Sequence, residues 1–400
     1  MRRKLLILPS SYPTEYTLVK GIFIQNQVDI LSGAYDVVVL FPRLPSWRKL
    51  VRGEDRPKSQ VEDRNGVKIY REEMILPPRL FRLRAYFYRR LARRGFKKIL
   101  MAWGKPDMIH AHVVLPGGWV ALNLGREFAI PVVLTEHSGP FSVHLKSAYQ
   151  RRLVRETLMN VNRNIAVSPA LAREMQAFCN LAKIEVVGNV IRTEFFVPAE
   201  DYSQDSSYSR TRFLSVALLV KEKGIHYLIE AVRLLIQKGI TSFEVMIGGD
   251  GPARPMLEGM VKRMDLSDHC RFLGLLNQEE VKYWMQQCDV FVSPSLGETF
   301  GIALGEAMAC GKPVIATRSG GSEFIMTDET GFFVNVADPA ALAEMMGGFI
   351  SKRITFTPDV IRQAVSNRFG EKAFLQKISV IYEQILAEYT EQRFGSAASH

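Results

Sequence analysis

The chain alternates short apolar, β-branched segments with segments of helical periodicity, and it does so in two series. The apolar runs of the first series are KLLILPS (4–10), YDVVVLFP (35–42), PDMIHAH (106–112), PVVLTEH (131–137), NIAVSP (164–169) and KIEVVGN (183–189). Those of the second are FLSVALL (213–219), FEVMIGGDGP (243–252), CRFLGLL (270–276), DVFVSPS (289–295) and PVIAT (313–317). Repetition of strand, helix and strand predicts two doubly wound parallel sheets, whose ligands bind beyond the carboxyl ends of the strands.

A polar, serine-rich segment without periodicity, residues 191–210, separates the two series, and we interpret it as an inter-domain linker. The 400-residue chain then consists of an N-terminal domain at 1–190 and a C-terminal domain at 211–370. For residues 371–400 the spacing of apolar residues predicts a long amphipathic helix. One option is that this helix crosses back to the N-terminal domain. Two such domains predict a cleft in which a ligand binds.

Cysteine usage and hydropathy indicate a cytoplasmic protein. The four cysteines are scattered, with no CxxC pair and no histidines at metal-binding spacing, which favours a reducing compartment and argues against a structural zinc. The apolar run before Pro9 is too short for a signal peptide, and no run is long enough to span a membrane. The net charge of +11 is concentrated in the first 190 residues, which suggests domains with different partners.

The stretch LGETFGIALGEAMACGKPVIAT (296–317) places Glu298 in a loop and Glu306 in the helix that follows the loop. A helix N-terminus presents free N–H groups and about half a positive charge, which favours phosphate. Carboxylates beside it can accept hydrogen bonds from vicinal hydroxyls, so the pattern predicts a nucleotide-sugar site. The structural alternative is that Glu298 caps the helix and Glu306 is a solvated helix residue.

The longer window SPSLGETFGIALGEAMACGKPVIATRSGG resembles the signature of retaining, GT-B fold glycosyltransferases of family 4 (glycosyl transferases group 1), with two glutamates separated by seven residues. The segments KEKG (221–224), IGGDGP (247–252), RFLGLL (271–276) and GGSEFI (320–325) resemble successive loops of that family, and GIFIQNQ and DMIHAH are similar to its N-terminal domain. The resemblance covers most of the chain. It implies the GT-B fold, an α/β architecture of two doubly wound Rossmann-like domains that face a cleft.

By position, the resemblance implies that the donor sugar and its nucleotide lie along the second domain. Glu298 would bind hydroxyls of the donor sugar, and Glu306 would bind the ribose diol. The backbone N–H groups around three consecutive residues, Phe300, Gly301 and Ile302, would face the sugar and the diphosphate. Leu273 would meet the base through its backbone, which leaves its side chain for the core.

Three further positions match functional residues of the family, and each has a structural alternative. Lys223 would neutralise the diphosphate, or be an ordinary surface lysine. Gly21 would let the N-terminal loop approach the diphosphate, or simply begin a helix. His137 matches the histidine beside the donor sugar, which makes His137 and Glu298 the candidate catalytic residues; the alternative for His137 is a hydrogen-bonded residue at a strand end. His110 or His112 is expected to be structural.

One position departs from the family pattern. The family commonly has glycine-arginine-leucine before its lysine loop, and Leu218 stands in the place of that arginine. Because the arginine normally shares the diphosphate charge with the lysine, its absence leaves Lys223 alone or aided by Lys221 or Arg192.

Residues 79–98 form a second distinctive segment, unrelated to the donor. They include nine Arg or Lys and no acidic residue, interleaved with Leu and Phe. A basic amphipathic helix of this kind is typical of binding to a membrane surface or to nucleic acid. The absence of a nucleic-acid module favours anionic lipid over nucleic acid; the alternative is a solvated helix with an apolar core face.

The resulting hypothesis is a retaining hexosyl- or N-acetylhexosaminyltransferase that uses a nucleotide diphosphate sugar, with UDP as the expected nucleotide, and a lipid-linked or saccharide acceptor in cell-envelope polysaccharide or glycolipid synthesis. No DxD-like motif occurs in a suitable loop, so no metal and no cofactor are expected. The protein is expected to be cytoplasmic and peripherally attached to the inner face of the membrane. An epimerase or phosphorylase on the same scaffold, or a non-catalytic sugar- or lipid-binding protein, stays open.

Overall fold

The computed structural model describes residues 2–14, 20–45, 58–76, 83–199 and 210–397. Its contacts divide the chain into two compact units. The first unit comprises Met1–Val167, Leu171–Gly188 and Leu375–His400, and the second comprises Ser168–Ala170 and Asn189–Phe374. The described chain contains no helix that is both long enough and apolar enough to cross a membrane.

The first unit is built on an eight-stranded sheet with the strand order β3-β4-β2-β1-β5-β6-β7-β8. The strands are β1 (Lys4–Pro9), β2 (Asp36–Arg43), β3 (Gln60–Arg64), β4 (Val67–Glu73), β5 (Met108–His112), β6 (Val132–Glu136), β7 (Arg163–Ala166) and β8 (Ile184–Val186). Neighbouring strands are parallel except at one edge, where β3 pairs antiparallel with β4. The central strands are buried almost throughout, as expected for strands covered on both faces.

Helices connect the strands of the first sheet. They are α1 (Ile22–Ala34), α2 (Arg84–Ala102), α3 (Trp119–Phe128), α4 (Ala148–Asn160) and α5 (Pro169–Phe178), with short turns at Val114–Gly118 and Phe141–His144. The doubly wound first domain predicted from the sequence is confirmed by this arrangement. The antiparallel edge strand β3 is an addition that the sequence interpretation lacked.

The second unit has a six-stranded, fully parallel sheet with the order β11-β10-β9-β12-β13-β14. Its strands are β9 (Thr211–Val216), β10 (Phe243–Gly248), β11 (Cys270–Gly274), β12 (Val290–Ser293), β13 (Val314–Thr317) and β14 (Gly331–Val334). Its helices are α6 (Ile225–Gln237), α7 (Arg254–Arg263), α8 (Gln278–Gln287), α9 (Ile302–Ala309), α10 (Ser322–Ile325), α11 (Pro339–Ile350) and α12 (Pro358–Phe369). The strand order reverses between β9 and β12, and such a switch point is where doubly wound sheets bind ligands.

The chain segments at the domain boundary are packed where the structure describes them. Of the segment interpreted as a linker, residues 200–209 lie outside the described residues. Residues 191–199 belong to the second unit, in which Arg362 of α12 donates hydrogen bonds to the carbonyls of Thr193 and Phe196. The last helix, α13 (Glu371–Ala397), begins in the second unit and belongs to the first from Leu375 onward.

Candidate functional site

The topology of the second sheet brings two distant loops together. The central strands β9 and β12 pair in parallel, so their carboxyl ends are neighbours. The loop after β9 contains the turn Lys221–Lys223, and the loop after β12 leads into α9. The loops touch so closely that a Cβ on Gly224 would lie 2.0 Å from the Pro294 carbonyl oxygen. Lys223 therefore reaches Glu298 across 75 residues of sequence.

An ion pair joins these two loops. Lys223 Nζ donates to Glu298 Oε1 at 2.6 Å, and the Ser295 hydroxyl donates to the same oxygen at 2.8 Å. The backbone of Glu298 is also held, because its N–H donates to the Ser319 carbonyl at 3.0 Å and its own carbonyl accepts from Gly321 N–H at 2.8 Å. The Lys223 and Glu298 side chains are 26% and 15% exposed, so the pair itself stabilises the fold by about 1 kcal/mol or less. Its effect is to orient the carboxylate and the ammonium at one place.

The helix α9 begins beside this ion pair. Gly301 precedes the helix with φ +93°, a left-handed conformation that favours glycine, and a Cβ there would lie 2.8 Å from Leu304 Cδ1. The first N–H groups of a helix have no partner within it. Phe300 is 2% exposed and its ring packs edge-on against Phe324 and Phe369, so only its backbone is available to a ligand. Ile302, the first residue of the helix, is half-buried.

Glu306 lies one turn further into the same helix and is half-buried. Burial raises the pKa of Glu306 to about 8, and the nearby Arg192 guanidinium lowers it only in part. Arg192 is itself held, with Nη1 donating to Gln278 Oε1 at 3.0 Å and its guanidinium 4.4 Å from the Phe195 ring centroid. No side chain in the described part of the chain donates a hydrogen bond to the Glu306 carboxylate. Glu306 is therefore a largely neutral acid at pH 7, not the solvated helix residue of the structural alternative.

His137 lies in the first unit, directly after β6, in a row of three buried histidine rings. His112 Nδ1 and His137 Nε2 are 3.0 Å apart, and the His110 and His112 ring centroids are 4.3 Å apart. His110 makes hydrogen-bonding contacts through both ring nitrogens, at 2.6 Å to the Tyr382 hydroxyl and at 2.8 Å to Thr135 Oγ1. Burial lowers the pKa of His110 to about 3 and that of His112 well below its usual value, so both are neutral.

A buried carboxylate fixes the backbone around His137. Glu136 is fully buried and accepts hydrogen bonds from the backbone N–H groups of Val114 at 2.7 Å, His137 at 2.8 Å and Ser138 at 2.7 Å. Burial by itself would raise the pKa of Glu136, but the His144 imidazole, whose Nε2 lies 3.6 Å from Glu136 Oε1, and these backbone N–H groups together lower it. Glu136 thus ties together the loops that follow β5 and β6.

Gly21 lies close to this histidine row. It precedes α1 with φ +83°, and a Cβ there would lie 2.6 Å from the Ser11 carbonyl oxygen. Phe23, two residues on, has its ring centroid 4.7 Å from that of His137. Two of the sequence-predicted positions, Gly21 and His137, are therefore brought together within the first unit.

The other positions considered from the sequence are exposed, half-buried or hydrogen-bonded only within their own loop. Leu218, in the place of the family arginine, is 63% exposed, and Leu273 is half-buried at the end of β11. Lys221 is exposed. Glu323, in the family-like segment GGSEFI, accepts hydrogen bonds from Gly320 N–H at 2.7 Å and from the Ser322 hydroxyl at 2.9 Å, so it supports its own loop.

Sequence reasoning missed two residues that support the predicted ones: Ser295, which contacts Glu298, and Phe23, which contacts His137. His112, named as a candidate structural histidine, also contacts His137. The Ser-Pro-Ser segment directly before the Glu298 loop was the available signal for Ser295. Within the described residues no group of three or more His, Cys, Asp or Glu is arranged to hold a metal ion. Independence of metal stays a prediction.

Two doubly wound Rossmann-like units in one chain are the architecture of the GT-B fold. The family model described as Glycosyltransferase Family 4 matches residues 31–195, and the one described as Glycosyl transferases group 1 matches residues 201–368. The chain belongs to this family, as its motifs predicted.

Curated relatives include a putative teichuronic acid biosynthesis glycosyltransferase of Bacillus subtilis, 26% identical over 89% of this chain and 91% of the relative. The amylovoran biosynthesis glycosyltransferase AmsK of Erwinia amylovora is 30% identical over 68% of this chain and 65% of the relative. The chain is thus related to enzymes named for the synthesis of two different polysaccharides.

Solved structures share the fold over nearly the whole chain. Sucrose-phosphate synthase from Thermosynechococcus elongatus superposes with a TM-score of 0.77 at 21% identity, covering 97% of this chain and all of the other. The Anabaena protein HepE, in complex with UDP-glucose, superposes with a TM-score of 0.69 at 18% identity, covering 96% of this chain and all of the other. At these identities the likeness concerns the fold.

Proposed function

We propose that the protein transfers a hexosyl or N-acetylhexosaminyl group from a UDP-sugar to a hydroxyl of a lipid-linked or saccharide acceptor, with retention at the anomeric carbon, in the synthesis of a cell-envelope polysaccharide or glycolipid. The observation that carries the proposal is the cluster of Lys223, Ser295 and Glu298 at the N-terminus of α9, with Glu306 one turn further on. The UDP-glucose complex of HepE, on the same fold, supports the choice of donor.

In this proposal Lys223 and Glu298 give up their ion pair when the donor binds, and each then contacts a group of the donor. A diphosphate near the first N–H groups of α9 attracts Lys223, because the helix end and the ammonium both favour negative charge. Glu298, released from the ion pair, then accepts hydrogen bonds from sugar hydroxyls, while Ser295 still holds its carboxylate in place. Catalysis rests on positioning and on electrostatic stabilisation of the departing diphosphate.

The direct test incubates the full chain with a panel of UDP-hexoses and UDP-N-acetylhexosamines, with and without saccharide and lipid-linked acceptors. A transferase releases UDP in an acceptor-dependent manner. An epimerase would interconvert the sugars without acceptor, and a binding protein would release nothing, so either result would overturn the proposal. The anomeric coupling constant of the product, measured by NMR, reports retention.

The attachment to a membrane surface is proposed from residues 83–98, the described part of the basic segment 79–98, most of which lies in α2. Arg84, Arg89, Arg90, Arg93, Arg94 and Lys97 are exposed, and Leu83 and Tyr86 beside them are each 49% exposed. Buried Leu91 and Phe96 form the opposite, core-facing side of the helix. Basic residues flanking exposed apolar ones suit an anionic lipid surface. Residues 79–82 lie outside the described residues.

Chelation is expected to leave activity unchanged. The proposed charge stabilisation comes from Lys223 and the start of α9, and neither requires a metal ion. The measurement is the rate of UDP release with and without EDTA. Loss of transfer in EDTA that Mg²⁺ or Mn²⁺ restores would contradict the metal-free mechanism.

His137→Ala is expected to lower turnover by about 100-fold or more, the lower end of the range for loss of a group acting at the reacting centre. The donor KM should change little, because the donor contacts proposed above lie in the second unit. Steady-state kinetics with saturating acceptor separates the two effects, and Phe23→Leu, which alters a ring contact of His137 but keeps its imidazole, is the matched control. Equal losses in turnover and donor affinity would mean that His137 is structural.

A further inference from the structure

A groove between α2 and α3 of the first unit has a volume of about 480 Å³. Its lining residues are Arg89, Arg93, Asn123, Leu124, Arg126 and Glu127. Arg89 and Arg93 are four residues apart on α2, and Asn123 and Glu127 are four apart on α3, so each pair lies on one face of its helix. One wall of the groove is therefore a row of arginines, and the other is a row of polar side chains.

The two arginines of α2 are each anchored through a single nitrogen. Arg89 Nη1 donates to Asn123 Oδ1 at 3.3 Å, and the amide is itself fixed because its Nδ2 donates to the Trp119 carbonyl at 2.7 Å. Arg93 Nε donates to Glu127 Oε1 at 2.6 Å. Neither guanidinium makes a further hydrogen bond within the described residues. Since a guanidinium carries five N–H groups, most of these donors are available to a ligand.

Arg126 contributes a third guanidinium from the side of α3. Its Nη1 donates to Glu156 Oε1 of α4 at 2.8 Å, and this is its one hydrogen bond in the part of the chain that the structure describes. Glu127 and Glu156 offset two of the three positive charges and leave one in excess. The Arg93 and Arg126 side chains are 51% and 48% exposed, so a solute can reach their free N–H groups.

This arrangement selects an oxyanion with several terminal oxygens. Guanidinium groups bind phosphate and carboxylate through paired, charge-assisted hydrogen bonds. A phosphomonoester presents three terminal oxygens and up to two negative charges, so it can contact three separate guanidinium groups at once. The groove volume lies within the range of small-ligand pockets, about 300–1,000 Å³, which leaves room for the group that carries the phosphate.

We propose that the groove between α2 and α3 is a binding site for a phosphomonoester group, held by Arg89, Arg93 and Arg126. The phosphate belongs either to a lipid headgroup or to a soluble phosphorylated compound, which share this chemistry. The site goes beyond the membrane attachment proposed above, because that attachment uses the summed charge of a surface, whereas the groove recognises one chemical group. It does not depend on sugar transfer.

The first test measures the affinity of the full chain for glycerol 3-phosphate by ³¹P NMR titration at low salt. The double variant Arg89→Gln/Arg126→Gln should bind about tenfold more weakly, since it loses two charge-assisted contacts at exposed positions. The matched control is Arg90→Gln/Arg152→Gln, which removes two exposed arginines of the same unit outside the groove and should bind almost normally. Equal weakening by the two double variants would mean a general effect of charge and would overturn the proposal.

The second test uses a change in the opposite direction. Glu127→Gln removes the carboxylate that competes for Arg93, so it should strengthen the binding of glycerol 3-phosphate by up to about fivefold. Damage to the fold cannot produce such a gain, and thermal melts verify that all the variants are folded. An unchanged or reduced affinity in Glu127→Gln would contradict the site.

The third test distinguishes the two sources of the phosphate. Phosphatidylcholine vesicles with phosphatidic acid, which has a phosphomonoester, are compared with vesicles of equal surface charge that contain oleate instead. A preference for phosphatidic acid that Arg89→Gln/Arg126→Gln abolishes would identify a lipid headgroup. Binding of glycerol 3-phosphate without that preference would identify a soluble compound. If the wild type shows neither, the groove is not a phosphate site, whether or not the protein transfers sugar.

Discussion

Reversing the charge of Arg89, Arg90 and Lys97 to glutamate is expected to abolish co-sedimentation of the protein with anionic liposomes, with a loss of roughly ten-thousandfold in partitioning. Each Lys or Arg at an anionic surface contributes about 1 kcal/mol, and each reversal also adds a repulsion of similar size. Nucleotide affinity should stay unchanged, since the proposed donor contacts lie in the second unit.

The contacts of α2 decide which residues to reverse. Arg93 pairs with Glu127 at 2.6 Å, and Arg94 and Lys98 both pair with Glu72, which is 2% exposed. A glutamate at position 94 would place a second carboxylate beside a buried one and destabilise the fold. In the described part of the chain, Arg90 and Lys97 have no acidic partner and Arg89 contacts only Asn123, at 3.3 Å. Their reversal therefore changes the surface and spares the core.

The matched control is the triple reversal of Lys238, Lys262 and Arg263, exposed residues of the second unit, which changes the net charge equally. It should leave sedimentation nearly intact. Salt should release the wild-type protein, because exposed charges are screened within about 10 Å at 0.1 M. If the wild-type protein does not co-sediment with anionic liposomes at low salt, membrane attachment is refuted and a soluble acceptor becomes the better proposal.

The fold was largely predictable because parallel strands buried on both faces leave a clear sequence pattern. KLLILPS and YDVVVLFP are continuous apolar runs, and they became β1 and β2 almost residue for residue. The edge strand Gln60–Arg64 has no such run, since its residues are at most half-buried. The turn Asn65–Gly66, both with positive φ, was the signal for its hairpin.

The candidate site was predictable in its residues but not in its contacts. Glu298, Glu306 and Lys223 were identified from motifs, yet the ion pair of Lys223 with Glu298 depends on β9 and β12 being neighbours. The contact of His110 with Tyr382 joins residues 272 apart, which no local pattern encodes. Partners of buried polar groups are chosen by tertiary packing, so a single sequence reveals the groups and not the pairing.

Glu306→Gln is expected to weaken UDP binding by up to about 150-fold at pH 9 and hardly at all at pH 6. The proposed ribose contact needs an ionised acceptor, and a hydrogen bond to a charged group contributes about 1.5–3 kcal/mol. Burial raises the pKa of Glu306 to about 8, so below that pH the wild-type residue is protonated and must lose its proton when the nucleotide binds. Affinity for UDP should therefore rise about tenfold per pH unit between pH 6 and 8 and level off above.

The titration of Glu306 has the opposite effect on the free energy of unfolding: UDP affinity rises with pH, whereas stability falls. Because the folded pKa of Glu306 lies above the unfolded value of about 4.3, the folded state binds the proton more tightly, and the free energy of unfolding falls as pH rises between these two values. Bound nucleotide offsets that loss by mass action. The variant Glu306→Gln removes the titrating group, so both its stability and its affinity should lack this pH dependence.

Calorimetry distinguishes the loss of the Glu306 proton on UDP binding from a general effect of pH on the nucleotide site. Titrations of UDP at pH 7, in two buffers of different ionisation enthalpy, should show release of nearly one proton by the wild type and of none by Glu306→Gln. The matched control is Glu298→Gln, which alters the neighbouring carboxylate and should retain the proton release, because Glu298 is ion-paired with Lys223. A wild-type affinity that is flat between pH 6 and 9, or a slope that persists in Glu306→Gln, would mean that Glu306 does not bind the ribose as a carboxylate.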